Sequence, residues 1–176
     1  MNPSPSPLTI DADFPGGNII VESISGDTVR LRQDPRTTIG WWFYWLFRVR
    51  GAAGRTVRFE FTDGDCFTAA GPCYSPDGDH WQWLGRAGVD GQAFSHTFAP
   101  GQDGAYFSLG IPYVERQLNA FLADRPTIRR EVLTRTELGR EAELLRLASK
   151  HGEQVAFLSA RTHGCEAVAS YSREGI

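Results

Sequence analysis

The pattern with the clearest chemical potential lies near the end of the sequence, in the segment His163-Gly164-Cys165-Glu166. An imidazole nitrogen and a carboxylate oxygen are both ligands of tetrahedral zinc, and a strand end that leads into a helix can bring the two groups to one side of the chain. A solvated loop pair has the same spacing in many proteins. His163 and Glu166 are therefore candidate metal ligands with zinc as the candidate cofactor, and a solvated loop remains the alternative.

A second set of candidates is aromatic, because all five tryptophans lie in the first half of the chain. Indole rings can form a flat platform for a sugar ring or a protein partner, and they also fill cores and interfaces because they bury large areas. Adjacent tryptophans in a strand face opposite sides of the sheet. The sequence leaves both interpretations open. The candidate binding face consists of Trp41, Trp42, Trp81 and Trp83.

The remaining chemistry-bearing residues favour structural roles. No Gly-x-Ser-x-Gly or Cys–His nucleophile arrangement stands out, so the sequence nominates no catalytic residue. The segment Asp77-Gly78-Asp79 resembles a fragment of a calcium loop but lacks the glutamate that would complete it, which favours a turn. We expect His80 and His96 to be surface or hydrogen-bonded histidines. Cys66 and Cys73 are expected to be small buried residues.

The composition is that of a globular protein: of 176 residues, 41% are hydrophobic and 22% are charged, with a formal net charge of −3. These values exclude wholesale disorder and give no electrostatic reason to expect nucleic acid or an anionic membrane as a partner. The longest apolar run, residues 39–47, is shorter than the roughly 20 residues of a membrane span. Three cysteines do not form a disulfide framework, and residues 1–17 lack the apolar segment of a secretion signal. We therefore expect a cytoplasmic protein.

The composition changes near Pro112, where a glycine- and tryptophan-rich region gives way to a charge-dense one. Alternation of apolar and polar residues predicts strands at residues 28–33 and 57–61, and residues 41–50 are apolar on both faces, as in a central strand. Gly51–Gly54 is expected to be the hairpin turn between the strands at residues 41–50 and 57–61. Many short strands separated by turn residues predict an antiparallel β-sandwich. Further strands are expected at residues 18–24, 66–70, 80–84, 93–98 and 106–111.

The second region is predicted to begin with a helix over residues 113–124, where apolar residues recur at helical spacing and Arg125-Pro126 follows. Residues 131–150 are ambiguous. Residues 141–150 have strong helix propensity, but Leu138-Gly139-Arg140 is equally compatible with a hairpin between residues 131–137 and 142–148. A short strand at residues 155–160 and a loop leading into a helix over residues 162–176 complete the expected elements.

Several of these segments together resemble the cytosolic-type zinc metallocarboxypeptidases. Residues 159–166 (SARTHGCE), followed by Ala169-Ser170-Tyr171, are similar to the first zinc motif of that family, and residues 134–139 (TRTELG) resemble the hairpin that opens its catalytic domain. Other parts of the sequence resemble the β-sandwich that precedes the catalytic domain in this family. They are Trp42-Phe43-Tyr44, residues 74–78, Trp81 and Ile111-Pro112-Tyr113.

The resemblance implies a β-sandwich domain over residues 1–112, a linker helix over 113–126 and the truncated start of an α/β catalytic domain over 127–176. His163 and Glu166 would be zinc ligands. The implied function is that of the N-terminal part of a zinc metallocarboxypeptidase, which when complete hydrolyses residues from the C-terminus of a peptide or protein. The family's third zinc ligand and its general base lie further along the chain, so we expect the 176 residues alone to be inactive. The alternative is a non-catalytic module that binds carbohydrate or protein through its tryptophan face.

If the catalytic domain is truncated as expected, a second copy of the chain is a further candidate partner. Apolar side chains beyond residue 126 would lack the strands and helices that cover them in a complete domain, and an uncovered apolar patch favours association. We therefore expect either a homo-oligomer formed through the C-terminal segment or disorder beyond about residue 126. The side chains concerned are Leu144, Leu145, Leu147, Val155, Phe157 and Leu158.

Overall fold

The structure, a computed structural model, describes residues 6–36, 43–64, 66–147, 156–160 and 165–174. Most of the described elements are short strands. In chain order the strands are β1 (Thr9–Asp11), β2 (Ile20–Ser25), β3 (Thr28–Arg32), β4 (Leu46–Arg50), β5 (Thr56–Phe61), β6 (Cys73–Ser75), β7 (Gln82–Trp83), β8 (Val89–Asp90), β9 (Ala93–Thr97), β10 (Ala105–Ser108), β11 (Ile128–Arg135) and β12 (Glu141–Leu147). Two α-helices lie within the described residues, α1 (Glu115–Ala123) and α2 (Ala167–Glu174).

The first ten strands form two five-stranded sheets packed face to face. One sheet has the order β1-β4-β10-β6-β7 and the other β2-β3-β5-β9-β8. Their facing sides bury a cluster of aromatic rings: Phe59 of one sheet lies 5.1 Å from Phe107 of the other, measured between ring centroids, and Trp45 lies 4.9 Å from Phe61. The alternating strands thus place their apolar faces between the sheets. The expected mainly β sandwich is confirmed.

The predicted hairpin between the central strand and residues 57–61 is wrong. β4 pairs antiparallel with β1 and β10, whereas β5 lies in the opposite sheet and runs parallel to β3. Gly51–Gly54 therefore carries the chain from one sheet to the other. The physical reason is that Val49 and Val57 are both fully buried, so the apolar faces of the two strands meet across the core instead of lying side by side.

Two strand boundaries also differ from the expectations. Residues 66–70 form no strand, because the chain turns there with the Gly71 amide donating to the carbonyl of Thr68 at 3.0 Å, and the strand lies instead at Cys73–Ser75. The central strand begins only at Leu46. Residues 41–42, at the start of the predicted strand, lie outside the described residues.

Beyond the sandwich, α1 confirms the predicted helix, and the ambiguous segment is a hairpin of β11 and β12. Gly139 turns the chain with φ +76°, and Arg146 pairs with Glu131 across the strands at 3.4 Å. These cross-strand contacts outweigh the helix propensity of residues 141–147. Residues 156–160 form no strand in the structure, whereas α2 confirms the helix expected within residues 162–176. Over the residues that the structure describes, no helix is long and apolar enough to cross a membrane.

Candidate functional site

The candidate metal motif, residues 163–166, is only partly described by the structure. His163 lies outside the described residues, whereas Glu166 is exposed and immediately precedes α2. Its backbone carbonyl accepts a hydrogen bond from the amide of Ala169 at 3.3 Å, so the peptide group of Glu166 belongs to the first turn of the helix. The carboxylate of Glu166 is therefore attached to a helical start, as the sequence pattern required.

Helix α2 is packed against the sandwich by one face. Ala167 is 5% exposed and Ser170 is 8% exposed, while Val168 between them faces solvent. The phenol of Tyr171 donates a hydrogen bond to the carbonyl of Pro112 at 2.8 Å, and its ring meets that of Tyr113 edge to face with centroids 5.0 Å apart. Residues 167, 170 and 171 share one side of a helix, which is the side that contacts the end of the sandwich.

An apolar cleft of about 470 Å³ lies between the first sheet and α1. Its aromatic walls include Phe14, Trp81 and Tyr106, and Val114 closes it from the start of the helix. Phe14 and Tyr106 meet edge to face at 5.5 Å, and the guanidinium of Arg48 lies 5.5 Å from the centre of the Phe14 ring. A concave apolar site of this size is the usual form of a small-ligand pocket. Polar groups at its rim are contributed by Asp77, Glu115, Arg116, Gln117 and Asn119.

A second cleft, of about 760 Å³, shares the Phe14-Pro15 loop and Val114 with the first. Its walls are more polar and carry both charge signs, with Arg36 and Arg140 facing the same space as Asp13 and Glu115. Arg36 donates to the carbonyl of Gly17 at 3.0 Å. Arg140 comes from the hairpin turn between β11 and β12, so this cleft collects residues from five separate parts of the chain.

The turn Asp77-Gly78-Asp79 is confirmed as a turn, and it anchors helix α1. One carboxylate oxygen of Asp77 accepts hydrogen bonds from the backbone amides of Asp79 and His80, both at 2.8 Å. The amide of His80 and the His80 imidazole, which lies 2.7 Å from the other oxygen, hold the pKa of Asp77 well below its usual value. The same imidazole–carboxylate hydrogen bond raises the pKa of His80. Arg116 of α1 pairs with Asp79 at 2.6 Å.

The four tryptophans proposed as a binding face are described only in part. Trp41 and Trp42 lie outside the described residues. Trp81 is half-buried in the wall of the apolar cleft, and its indole nitrogen donates to the carbonyl of Gly78 at 3.0 Å. Trp83 lies on the edge strand β7 and is 41% exposed. The structure therefore brings Trp81 and Trp83 to one edge of the first sheet.

The sandwich histidine and cysteines are structural. His96 stacks on Tyr74 with ring centroids 4.6 Å apart, and burial lowers its pKa. Cys66 and Cys73 are fully buried, as predicted, and burial raises the pKa of Cys73 to about 12. A thiol held neutral in this way is a poor nucleophile and a poor metal ligand.

Within the described part of the chain, no group of three or more histidine, cysteine, aspartate or glutamate side chains is arranged to hold a metal ion. The donor types of His163 and Glu166 do fit zinc. A catalytic zinc ion ordinarily has three protein ligands, so a site built on these two residues would need a third.

The chain begins with a two-sheet sandwich, which is followed by a helix, a hairpin and a second helix that begins beside a His-x-x-Glu motif. This order of elements defines a class of protein: the N-terminal region of a carboxypeptidase-like protein. The sequence model of the cytosolic carboxypeptidase N-terminal domain matches residues 10–109, and the chain belongs to this family. The resemblance seen in the sequence is thereby confirmed.

Individual relatives agree with this assignment. A putative carboxypeptidase from Burkholderia mallei is 26% identical, with a TM-score of 0.80 over 96% of this chain and 46% of that one. A metallo-carboxypeptidase from Burkholderia cenocepacia is also 26% identical, with a TM-score of 0.76 over 96% of this chain and 48% of that one. An uncharacterized protein of Zymomonas mobilis is 30% identical over 96% of this chain. The chain spans 46% of that curated relative.

Apart from Trp81, sequence reasoning nominated as binding residues none of those that line the two clefts. Phe14, Val114 and Arg116 are distant along the chain from Asp77 and Trp81, and no local pattern links them. The helical spacing that predicted α1 identified the residues of its apolar stripe, but not that its first turn closes a cleft on the sandwich.

Proposed function

We propose that this chain is the N-terminal part of a zinc metallocarboxypeptidase, in which His163 and Glu166 supply two of the zinc ligands. In the complete protein the zinc ion would polarise a scissile carbonyl and activate water, and the substrate would be the C-terminus of a peptide or protein. The division into a sandwich over residues 1–112, a linker helix over 113–126 and the start of a catalytic domain over 127–176 is part of this proposal, as is a cytoplasmic location.

The observation that carries the proposal is the placement of Glu166. It is exposed at the first turn of a helix that packs against the sandwich, in a chain whose fold matches metallo-carboxypeptidases over 96% of its length. An exposed carboxylate at a fixed helix start is suited to share an ion with a histidine three residues earlier.

Metal binding provides the direct test. We expect the purified chain to bind Zn²⁺ weakly and to show a zinc-dependent thermal shift that is lost in His163→Ala and Glu166→Gln. Two matched controls, His80→Ala and Glu137→Gln, remove an exposed histidine and an exposed glutamate elsewhere on the chain and should keep the shift. Equal shifts in all four variants would exclude His163 and Glu166 as ligands.

The proposal also predicts that these 176 residues do not hydrolyse peptides, because a two-ligand ion lacks a general base and a group that binds the substrate carboxylate. The assay is release of C-terminal amino acids from blocked dipeptides, followed by mass spectrometry. Zinc-dependent release that is abolished by Glu166→Gln would contradict this part of the proposal and leave the ligand assignment intact.

The exposed edge at β7 supports a second candidate function, the binding of carbohydrate or protein through Trp81 and Trp83. Trp83 is 41% exposed and lies two residues after Trp81, which lines the apolar cleft. Oligosaccharides would then quench tryptophan fluorescence independently of zinc, and Trp83→Ala would remove the effect. Absence of quenching over the millimolar range would eliminate a carbohydrate ligand.

A further inference from the structure

We propose that the sandwich is a structural part of the metal site, because it fixes the position of Glu166 through helix α2. Tyr171 is the main positioning residue. This inference rests on the proposed metal role of Glu166, and it adds that the sandwich determines where the carboxylate of Glu166 lies.

The residues on both sides of Glu166 are shielded from solvent, partly at Cys165 and almost fully at Ala167. Cys165, immediately before it, is partly buried and packs against the hydrophobic core. Ala167, immediately after it, is almost completely buried. The backbone of Glu166 is thus fixed from both directions, while its side chain remains exposed.

Further along α2, two contacts prevent the helix from rotating or sliding. Ser170 is buried, and Tyr171 lies against the loop that follows β10, with a hydrogen bond of 2.8 Å to the Pro112 carbonyl and an edge-to-face contact with Tyr113. Tyr171 is five residues beyond Glu166, about 7.5 Å along a helix that rises 1.5 Å per residue. A contact at each end of this short segment fixes both its axial position and its rotation.

The receiving surface on the sandwich is itself rigid. Pro112 and Tyr113 are buried, and they lie four and five residues after the end of β10, a central strand of the first sheet that pairs with both β4 and β6. Since β10 is held on both sides, the loop that accepts the Tyr171 hydroxyl has a defined position relative to the core. A continuous series of contacts therefore connects the core to Glu166. It consists of β10, Pro112, Tyr171 and the backbone of α2.

The test compares Tyr171→Phe, which keeps the ring and removes the hydroxyl, with Tyr171→Ala, which removes both. Ser172→Ala is the matched control, because Ser172 is exposed on the same helix and bonds only within it, to the Val168 carbonyl at 3.3 Å. The first readout is hydrogen exchange of the α2 amides. Loss of one hydrogen bond should accelerate their exchange by about fivefold in Tyr171→Phe, and loss of the aromatic pair as well by about thirtyfold in Tyr171→Ala.

The second readout is one that a purely stabilising contact would not change. Co²⁺ reports its ligands through its visible absorption, so we measure Co²⁺ affinity for the same variants at a temperature where near-ultraviolet circular dichroism shows the sandwich intact. Affinity should fall by about threefold or more in Tyr171→Ala, fall less in Tyr171→Phe, and stay unchanged in Ser172→Ala. Glu166→Gln provides the reference for complete loss of the carboxylate.

The outcomes separate the two hypotheses. Unchanged α2 exchange in Tyr171→Ala would show that Tyr171 does not hold the helix. Faster exchange with unchanged Co²⁺ affinity would show that the helix is held but that this does not position Glu166, and either result overturns the inference while the proposed function stands. Equal Co²⁺ affinity in the native chain and in Glu166→Gln would refute the proposed function, and the positioning role with it.

Discussion

Replacing Gly51 with alanine should destabilise the sandwich strongly, because this glycine lies at the crossover between the two sheets. Its φ of +71° is in the left-handed region, and a Cβ atom built on it would lie 2.2 Å from the carbonyl oxygen of Pro7. The N-terminal segment would have to move away, and the buried Leu8 that follows Pro7 would move with it.

The magnitude follows from two contributions. The left-handed conformation costs a residue with a side chain ~1–2 kcal/mol. Exposure of a buried leucine costs a further ~1.5–3 kcal/mol. Gly51→Ala should therefore lose about 2.5–5 kcal/mol of unfolding free energy. Gly54→Ala is the matched control, since Gly54 has φ +72° but its nearest neighbour to a built Cβ is the Pro100 Cα at 3.8 Å, so only the backbone contribution applies.

The assay is urea unfolding followed by intrinsic tryptophan fluorescence, to which the buried Trp45 contributes. With a slope of roughly 1–3 kcal/mol/M, the midpoint of Gly51→Ala should lie about 1 M below that of Gly54→Ala, with the slope unchanged. Equal midpoints for the two variants would refute the reasoning, because the steric contribution of Pro7 would then be absent.

Three further predictions concern stability, reactivity and association. Since burial lowers the pKa of His96, protonation favours the unfolded chain, and stability should fall as pH drops below the ordinary histidine pKa of 6.5. His96→Leu should weaken this fall, whereas His80→Ala, which removes a histidine of raised pKa, should steepen it; equal pH dependence in the native chain and in His96→Leu would contradict the burial of His96. Thiol titration at about pH 8 should label no cysteine other than Cys165 in the native chain and all three after denaturation; native labelling of Cys73 would contradict its burial. The hairpin exposes 58% of Leu133 and 70% of Leu147, so the chain should self-associate in sedimentation velocity experiments. Leu147→Glu should shift the chain towards monomer, whereas the control variant Thr134→Glu should not. A native chain that sediments only as a monomer would refute this prediction.

Local alternation located several strands well because each has one face in the core. Val29 and Leu31 of β3 are both fully buried in the core, and so are Val57 and Phe59 of β5. Alternation determines which face of a strand is buried, but it does not determine the sheet to which the strand belongs. The short glycine-rich connection at Gly51–Gly54 is typical of a hairpin, and only the packing of two apolar faces across the core shows that it is a crossover.

Only the contiguous part of the candidate site could be predicted from the sequence. The His-x-x-Glu motif and its helix were visible because they are contiguous in the sequence. The docking of Tyr171 on Pro112 and the clefts beside α1 join residues far apart along the chain, and such contacts leave no periodic signal. Helix propensity at residues 141–147 was misleading for a related reason, since the cross-strand partners that favour the hairpin lie outside that segment.

The strand order of the first sheet has a consequence for how the chain folds during synthesis. β4 is the second strand of that sheet, and its neighbours are β1 at the start of the chain and β10 at residues 105–108. The ribosome delivers β4 long before β10, so Leu46 and Phe47 emerge with one side of their strand unpaired. The sheet closes only when residue 108 has left the exit tunnel, and until then the nascent chain presents its most apolar segment to chaperones.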